Sequence, residues 1–139
     1  MANGKSYLLA ALFFLVVDTI FIRTFFIDAY IRELSSILNM KGQSLEGRVT
    51  PAVLFYVIYL GCFFFLVLER VTTVKEGFLY GAVYGLATYS TYCLTNHTIM
   101  SAWSWSITMT DIAWGTILTG STGAVGSFLK AYFSKVIES

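Results

Sequence analysis

Four apolar runs of about twenty residues dominate this chain, at about 7–27, 50–68, 77–97 and 108–130. A helix needs about 20 mainly apolar residues to cross the hydrocarbon of a bilayer. In that medium every backbone N–H and C=O must be paired inside the structure, so only helices and closed barrels span it. A barrel would alternate apolar and polar residues over segments of about ten. The run Phe63-Phe64-Phe65-Leu66-Val67-Leu68 does not alternate. The expected fold is therefore all-α: an integral membrane four-helix bundle forming one membrane domain over 1–139.

Composition supports this reading. Charged residues make up 12% of the chain, against about 25% in soluble proteins. So few charges cannot cover a globule in water, and a hydrophobic content of 57% excludes a disordered chain. The formal net charge of +1 excludes a strongly basic nucleic-acid binder. Cys62, Cys93 and a single histidine, His97, fall short of the roughly four ligands of a structural zinc site. No metal is expected, and the cysteines read as buried free thiols. The first run is longer than the roughly 7–15 residues of a signal-peptide core and contains Asp18 and Arg23, so it reads as a retained helix.

The connections carry their own signals. Pro51 stands at the start of the second run, where a missing N–H costs nothing, and Thr50 is the expected N-cap. Between the first two runs, Tyr30, Ile31, Leu34, Ile37 and Leu38 recur at helical spacing. This predicts a short amphipathic helix in the loop, lying on the membrane or over the mouth of the bundle. The stretch 40–48 reads as a polar link with two glycines. Four spans put both termini on one side, with Lys5, Arg70, Lys75, Lys130 and Lys135; Arg32, Lys41 and Arg48 fall on the other. The positive-inside rule then makes the termini cytoplasmic. Trp103 and Trp105 suit an interfacial belt on the outer side.

Small residues mark packing faces. Gly77, Gly81 and Gly85 lie four apart on the third span, and Gly115, Thr119 and Gly123 lie four apart on the fourth. Such stripes let helix backbones approach closely. The short loop between these spans favours packing of one on the other within the chain; a homo-oligomer through Gly81 and Gly85 is the alternative.

Ionisable groups inside spans are costly and often functional. Asp18 is the deepest, about 13 Å from the outer end of its span at the rise of a helix. Arg23 and Asp111 lie nearer the outer surface, at similar depth and with opposite charge, and are the expected ion pair. Asp18 and Arg23 are five apart, about 140° around the axis, and so face different ways. Asp18 then looks to Tyr89, Tyr92, Thr95 or Asn96. A structural salt bridge and a satisfied buried acid weigh equally against a ligand site. His97 reads as an interfacial histidine. No phosphate-binding G-x-x-x-x-G-K-[ST] loop, H-E-x-x-H or G-x-S-x-G occurs, and no lysine lies well inside a span. No cofactor is expected.

Two segments carry a family resemblance. Ala87-Thr88-Tyr89-Ser90-Thr91-Tyr92-Cys93-Leu94-Thr95-Asn96 and Asp111-Ile112-Ala113-Trp114-Gly115 resemble the DUF2177 family of small predicted bacterial membrane proteins. Asp18 and Ala52-Val53-Leu54-Phe55-Tyr56 follow the same pattern. The resemblance implies a four-helix protein of a bacterial-type inner membrane, with no assigned reaction. It also implies an aspartate where this chain has Cys93 and a small residue near Arg23, so a three-acid family site would here be reduced to Asp18 and Asp111.

The leading functional expectation is binding or transport of a small solute or lipid. The site would open outward between the first, third and fourth spans, with Asp18, Tyr89, Tyr92, Asn96, Asp111 and Trp114 as contacts. A lipid-modifying enzyme using Asp18 and Asp111 as acid and base is one alternative; the residues permit it without demanding it. A structural subunit of a larger membrane complex is the other. Membrane lipid is the expected partner in each case.

Overall fold

In the computed structural model, which describes residues 2–138, the chain is all-α apart from one small hairpin. Met1 and Ser139, the ends of the expected domain, lie outside the described residues. The first rod runs through α1 (Ala2–Phe21), a π-helical turn (Ile22–Phe26) and α2 (Ile27–Leu34). A hairpin follows, β1 (Met40–Lys41) paired antiparallel with β2 (Ser44–Leu45). The second rod is α3 (Val49–Phe63), continued by a π-helical turn (Phe64–Leu68). Two uninterrupted helices complete the chain, α4 (Val74–Ile99) and α5 (Trp105–Glu138).

Local chemistry sets several of these boundaries. The Thr73 hydroxyl accepts from the Glu76 N–H at 3.1 Å, and Glu76 Oε2 accepts from the Thr73 N–H at 3.2 Å. This reciprocal capping box starts α4. Ser104 Oγ accepts from the Ile107 N–H and caps α5, here without a reciprocal bond. Thr50 is not the cap of α3: it is already helical, and Arg48 takes that position without a side-chain hydrogen bond. Pro51 still lies in the first turn, where no helical acceptor awaits its nitrogen.

The π turns keep one face of each rod pointing inward. Buried positions on the first rod step through Ala10, Phe14 and Asp18, and Phe26 and Leu34 continue the face. An uninterrupted α-helix would turn Phe25 toward the interior; instead Phe25 is 69% exposed and Phe26 is 8% exposed. The Ile27 N–H bonds back five residues to the Ile22 carbonyl, which inserts the extra residue. The amphipathic segment is therefore no separate loop helix but the end of the first rod. Its inward residues Phe26, Tyr30 and Leu34 pack with Cys93, Trp103 and Ile107. Trp103 is buried at 6% exposure, so it belongs to this cluster and not to an interfacial belt; Trp105, 64% exposed, remains outside. The polar link of 40–48 holds the hairpin, with Gly42 at φ +64 as the first residue of a two-residue turn. Glycine is the residue for that position of a type II′ connection.

α4 and α5 make the closest contact. A Cβ on Gly81 would sit 2.5 Å from the Thr119 carbonyl oxygen, and a Cβ on Gly77 or Gly85 would overlap the carbonyls of Gly123 or Gly115. The two small-residue stripes thus face each other within the chain. The first rod packs on α5 through Phe14 and Leu118, and Ala10 lies near Gly126. The second rod joins through Tyr59, Phe63 and Leu68.

The rods run alternately up and down. At one end the Tyr7 hydroxyl donates to Glu69, and Lys130 Nζ donates to the carbonyls of Leu68 and Val71. Lys130 thereby satisfies carbonyls that the end of the second rod leaves unpaired. Two rods, Gly4–Leu34 and Val49–Leu68, are long and apolar enough to cross a membrane. α4 and α5 fall below that mark. Part of the polar content of α5 lies in the interior: Thr108, Thr119, Thr122 and Ser127 are all buried.

Candidate functional site

Asp18 and Asp111 are far apart in sequence and line one chamber. Asp18 faces inward from the last quarter of α1, at 4% exposure; Asp111 faces inward from the second turn of α5, at 8%. The chamber has a volume of about 770 Å³ and is open rather than sealed. Tyr56, Tyr89, Tyr92 and Trp114 contribute to its wall along with the two acids. It exists because the first half of α3 stands off from its neighbours. Residues 49–55 are exposed without exception, and burial on α3 begins only at Tyr59 and Leu60.

Asp18 is held by two donors. The Tyr56 hydroxyl donates to Oδ2 at 2.9 Å, and Trp114 Nε1 donates to Oδ1 at 3.0 Å. An indole N–H can only donate, so Oδ1 must accept. The Trp114 ring is fixed in turn by stacking on Phe21, at 3.7 Å between centroids and 6° between planes. Tyr59 closes the floor, its hydroxyl 2.6 Å from Thr119 Oγ1. Both neighbours of Asp18 are neutral, and no ion pair to it forms among the described residues.

Asp111 is held differently. Cys93 Sγ donates to Oδ2 at 3.1 Å from the facing turn of α4. Tyr30 and Tyr92 flank the same carboxyl. The expected Arg23–Asp111 ion pair is not formed. Arg23 lies on the π turn, exposed, while the extra residue of that turn brings Phe26 and Tyr30 inward instead.

Asp18, Asp111, Tyr89, Tyr92 and Trp114 all line the chamber; Asn96 does not. It lies a turn beyond Tyr92, toward the end of α4. Cys93 is buried as expected, whereas Cys62 is exposed. His97 sits outside the chamber. Its Nδ1 is 2.8 Å from Thr108 Oγ1, and its ring lies 4.4 Å from that of Trp105. The Thr108 hydroxyl already donates to the Ser104 carbonyl, which assigns Nδ1 as the donor to Thr108.

Sequence reasoning missed the second rod. Pro51, Ala52, Phe55, Tyr56 and Tyr59 all line the chamber. The signal was present in the spacing of 52, 55, 56 and 59, one helical face ending in two tyrosines. Of the partners proposed for Asp18, none is used; Tyr56 and Trp114 take their place.

A family model described as "Predicted membrane protein (DUF2177)" matches residues 3–128. No curated protein and no solved structure matches the chain.

Proposed function

Because the chain belongs to the DUF2177 family of predicted membrane proteins, we propose that it is a multi-pass protein that binds or transports a small solute or lipid in the Asp18–Asp111 chamber. In this reading all four rods span the membrane as a bundle, with the termini cytoplasmic and the chamber in the outer half. The distribution of polarity supports the embedding. Large apolar side chains such as Leu8, Val57, Phe65, Leu79 and Ile117 are more than half exposed, while Asp18, Asp111 and the hydroxyls of Thr108, Thr119 and Thr122 are buried. Water would disfavour that arrangement and lipid favours it.

One observation carries the binding site: two buried acids from different helices line a single chamber of about 770 Å³. That volume lies within the roughly 300–1,000 Å³ typical of small-molecule sites. Acid–base catalysis is less well supported. Both oxygens of Asp18 are already engaged by Tyr56 and Trp114, which suits a fixed acceptor better than a group that passes protons.

Native mass spectrometry of the protein released from lipid nanodiscs tests the site. A bound small molecule or lipid is expected on the parent chain and absent from an Asp18→Asn, Asp111→Asn variant. Identical, ligand-free spectra would refute the reading. Labelling of Gln43→Cys from the outer face only, in a chain with Cys62 and Cys93 replaced by serine, tests the orientation.

A further inference from the structure

The chamber contains its own statement about charge. Among the described residues that line it, Asp18 and Asp111 are acidic and no lysine, arginine or histidine is present. Both are more than nine-tenths buried, and their hydrogen bonds come from a phenol, an indole and a thiol, none of which carries positive charge. Buried acids are ordinarily paired with a cation. The wall around them is largely aromatic, and aromatic faces attract cations within about 6 Å of the ring centre. We propose that the occupant is an amphiphilic organic cation, an alkylammonium head held between Asp18 and Asp111 with its tail along the second rod. This rests on the chamber being a binding site, as argued above.

Three features select this chemistry. First, a hard metal cation takes about six or more oxygen ligands. The described residues contain no group of three or more acidic, cysteine or histidine side chains able to hold one. Second, acids and aromatic faces together are what recognise substituted ammonium groups, whose positive charge is spread over apolar methyl or methylene surface. Third, the wall away from the acids is apolar, with Ile22 and Ile27 on the first rod facing Pro51, Ala52 and Phe55 under the stand-off half of α3. A tail laid there would contact apolar surface and reach the lipid through the gap beside α3. An anionic amphiphile would meet two acids and no counter-charge.

The ammonium could belong to a membrane lipid or to a free amphiphile, and one experiment separates these and tests the inference. The full-length protein in uncharged maltoside micelles is titrated with octyltrimethylammonium, octanol and octanoate, and bound stoichiometry is read by native mass spectrometry. The expected result is one cation per chain, at least tenfold tighter than either other probe, weakened at least tenfold by Asp111→Asn and by Asp18→Asn. The head-group comparison on the unaltered chain stands even if a variant fails to fold. Displacement of the probe by phosphatidylethanolamine assigns a lipid ammonium; no displacement assigns a free amphiphile. Equal binding of all three probes, unchanged in Asp111→Asn, would overturn the cation inference and leave the chamber as a binding site. Binding of none would overturn the cation inference, and ligand-free nanodisc spectra alongside it would overturn the chamber as a binding site as well.

Discussion

The Trp114 indole does two things at once, donating to Asp18 and stacking on Phe21. Trp114→Phe separates them, because a phenyl ring can keep the stack but has no N–H. Withdrawing one donor from a buried acid is expected to destabilise the protein by about 1.5–3 kcal/mol, read from denaturation in detergent. Tyr56→Phe should cost a similar amount through Oδ2, with no change in the stacked pair. Glu76 offers a test by pH. The Thr72 N–H and then the Thr73 N–H hold its carboxyl below its ordinary value of 4.5. A lowered value means that its contribution is present in full above 4.5 and is lost as pH falls through the folded-state value. Glu76→Gln should therefore lower the thermal midpoint at pH 7, and the gap from the parent should close as pH falls below 4.5. At this scale the acids were legible in the sequence, since a charge inside an apolar run stands out. Their partners were not. The Arg23–Asp111 pairing rested on depth and charge alone, whereas Arg23, about 140° around the axis from Asp18, faces out while both acids face one chamber.

Helix contacts are the next scale, and the glycines give a controlled comparison there. A Cβ at Gly81 would meet the Thr119 backbone, whereas a Cβ at Gly61 meets nothing within 4 Å. Gly81→Ala must push α4 away from α5, at a cost of about 1–3 kcal/mol. Gly61→Ala carries no such clash and should stabilise by about 0.5–1 kcal/mol from helix propensity alone. Unfolding of the two variants side by side in one detergent checks both signs. Spacing of four made these stripes readable from residue identity, because small side chains at i and i+4 have one geometric consequence. The π turns had no comparable signature. Nothing in Ile22-Arg23-Thr24-Phe25-Phe26 marks a five-residue hydrogen bond; it arises because Phe26, Tyr30 and Leu34 bury against Cys93, Trp103 and Ile107. That is a tertiary cause acting on local structure, and so is the merging of the amphipathic segment into the first rod.

At the scale of the whole molecule, average hydropathy and surface polarity disagree for α4 and α5. Neither helix is apolar enough on average to meet the spanning mark that the first two rods meet. Yet much of their outward surface is apolar, with Leu79, Val83, Met109 and Ile117 all more than half exposed. Their glycines are spent on the contact between them, and several hydroxyls of α5 on the interior. An average over a window cannot see which side of a helix a residue faces, so the third and fourth apolar runs were legible as helices but their environment was not. A single substitution decides it. Val83 is 55% exposed on the outer side of α4. On a water-facing surface Val83→Asp would change stability by no more than about 0.5 kcal/mol. In the middle of a spanning helix it would cost about 2.5–3.5 kcal/mol of insertion free energy. The expected outcome is a drop of at least tenfold in the fraction of chain recovered folded from membranes, with a matching loss for Ile117→Asp on α5. Full recovery of both variants would place α4 and α5 outside the bilayer, leaving only the first two rods to span it.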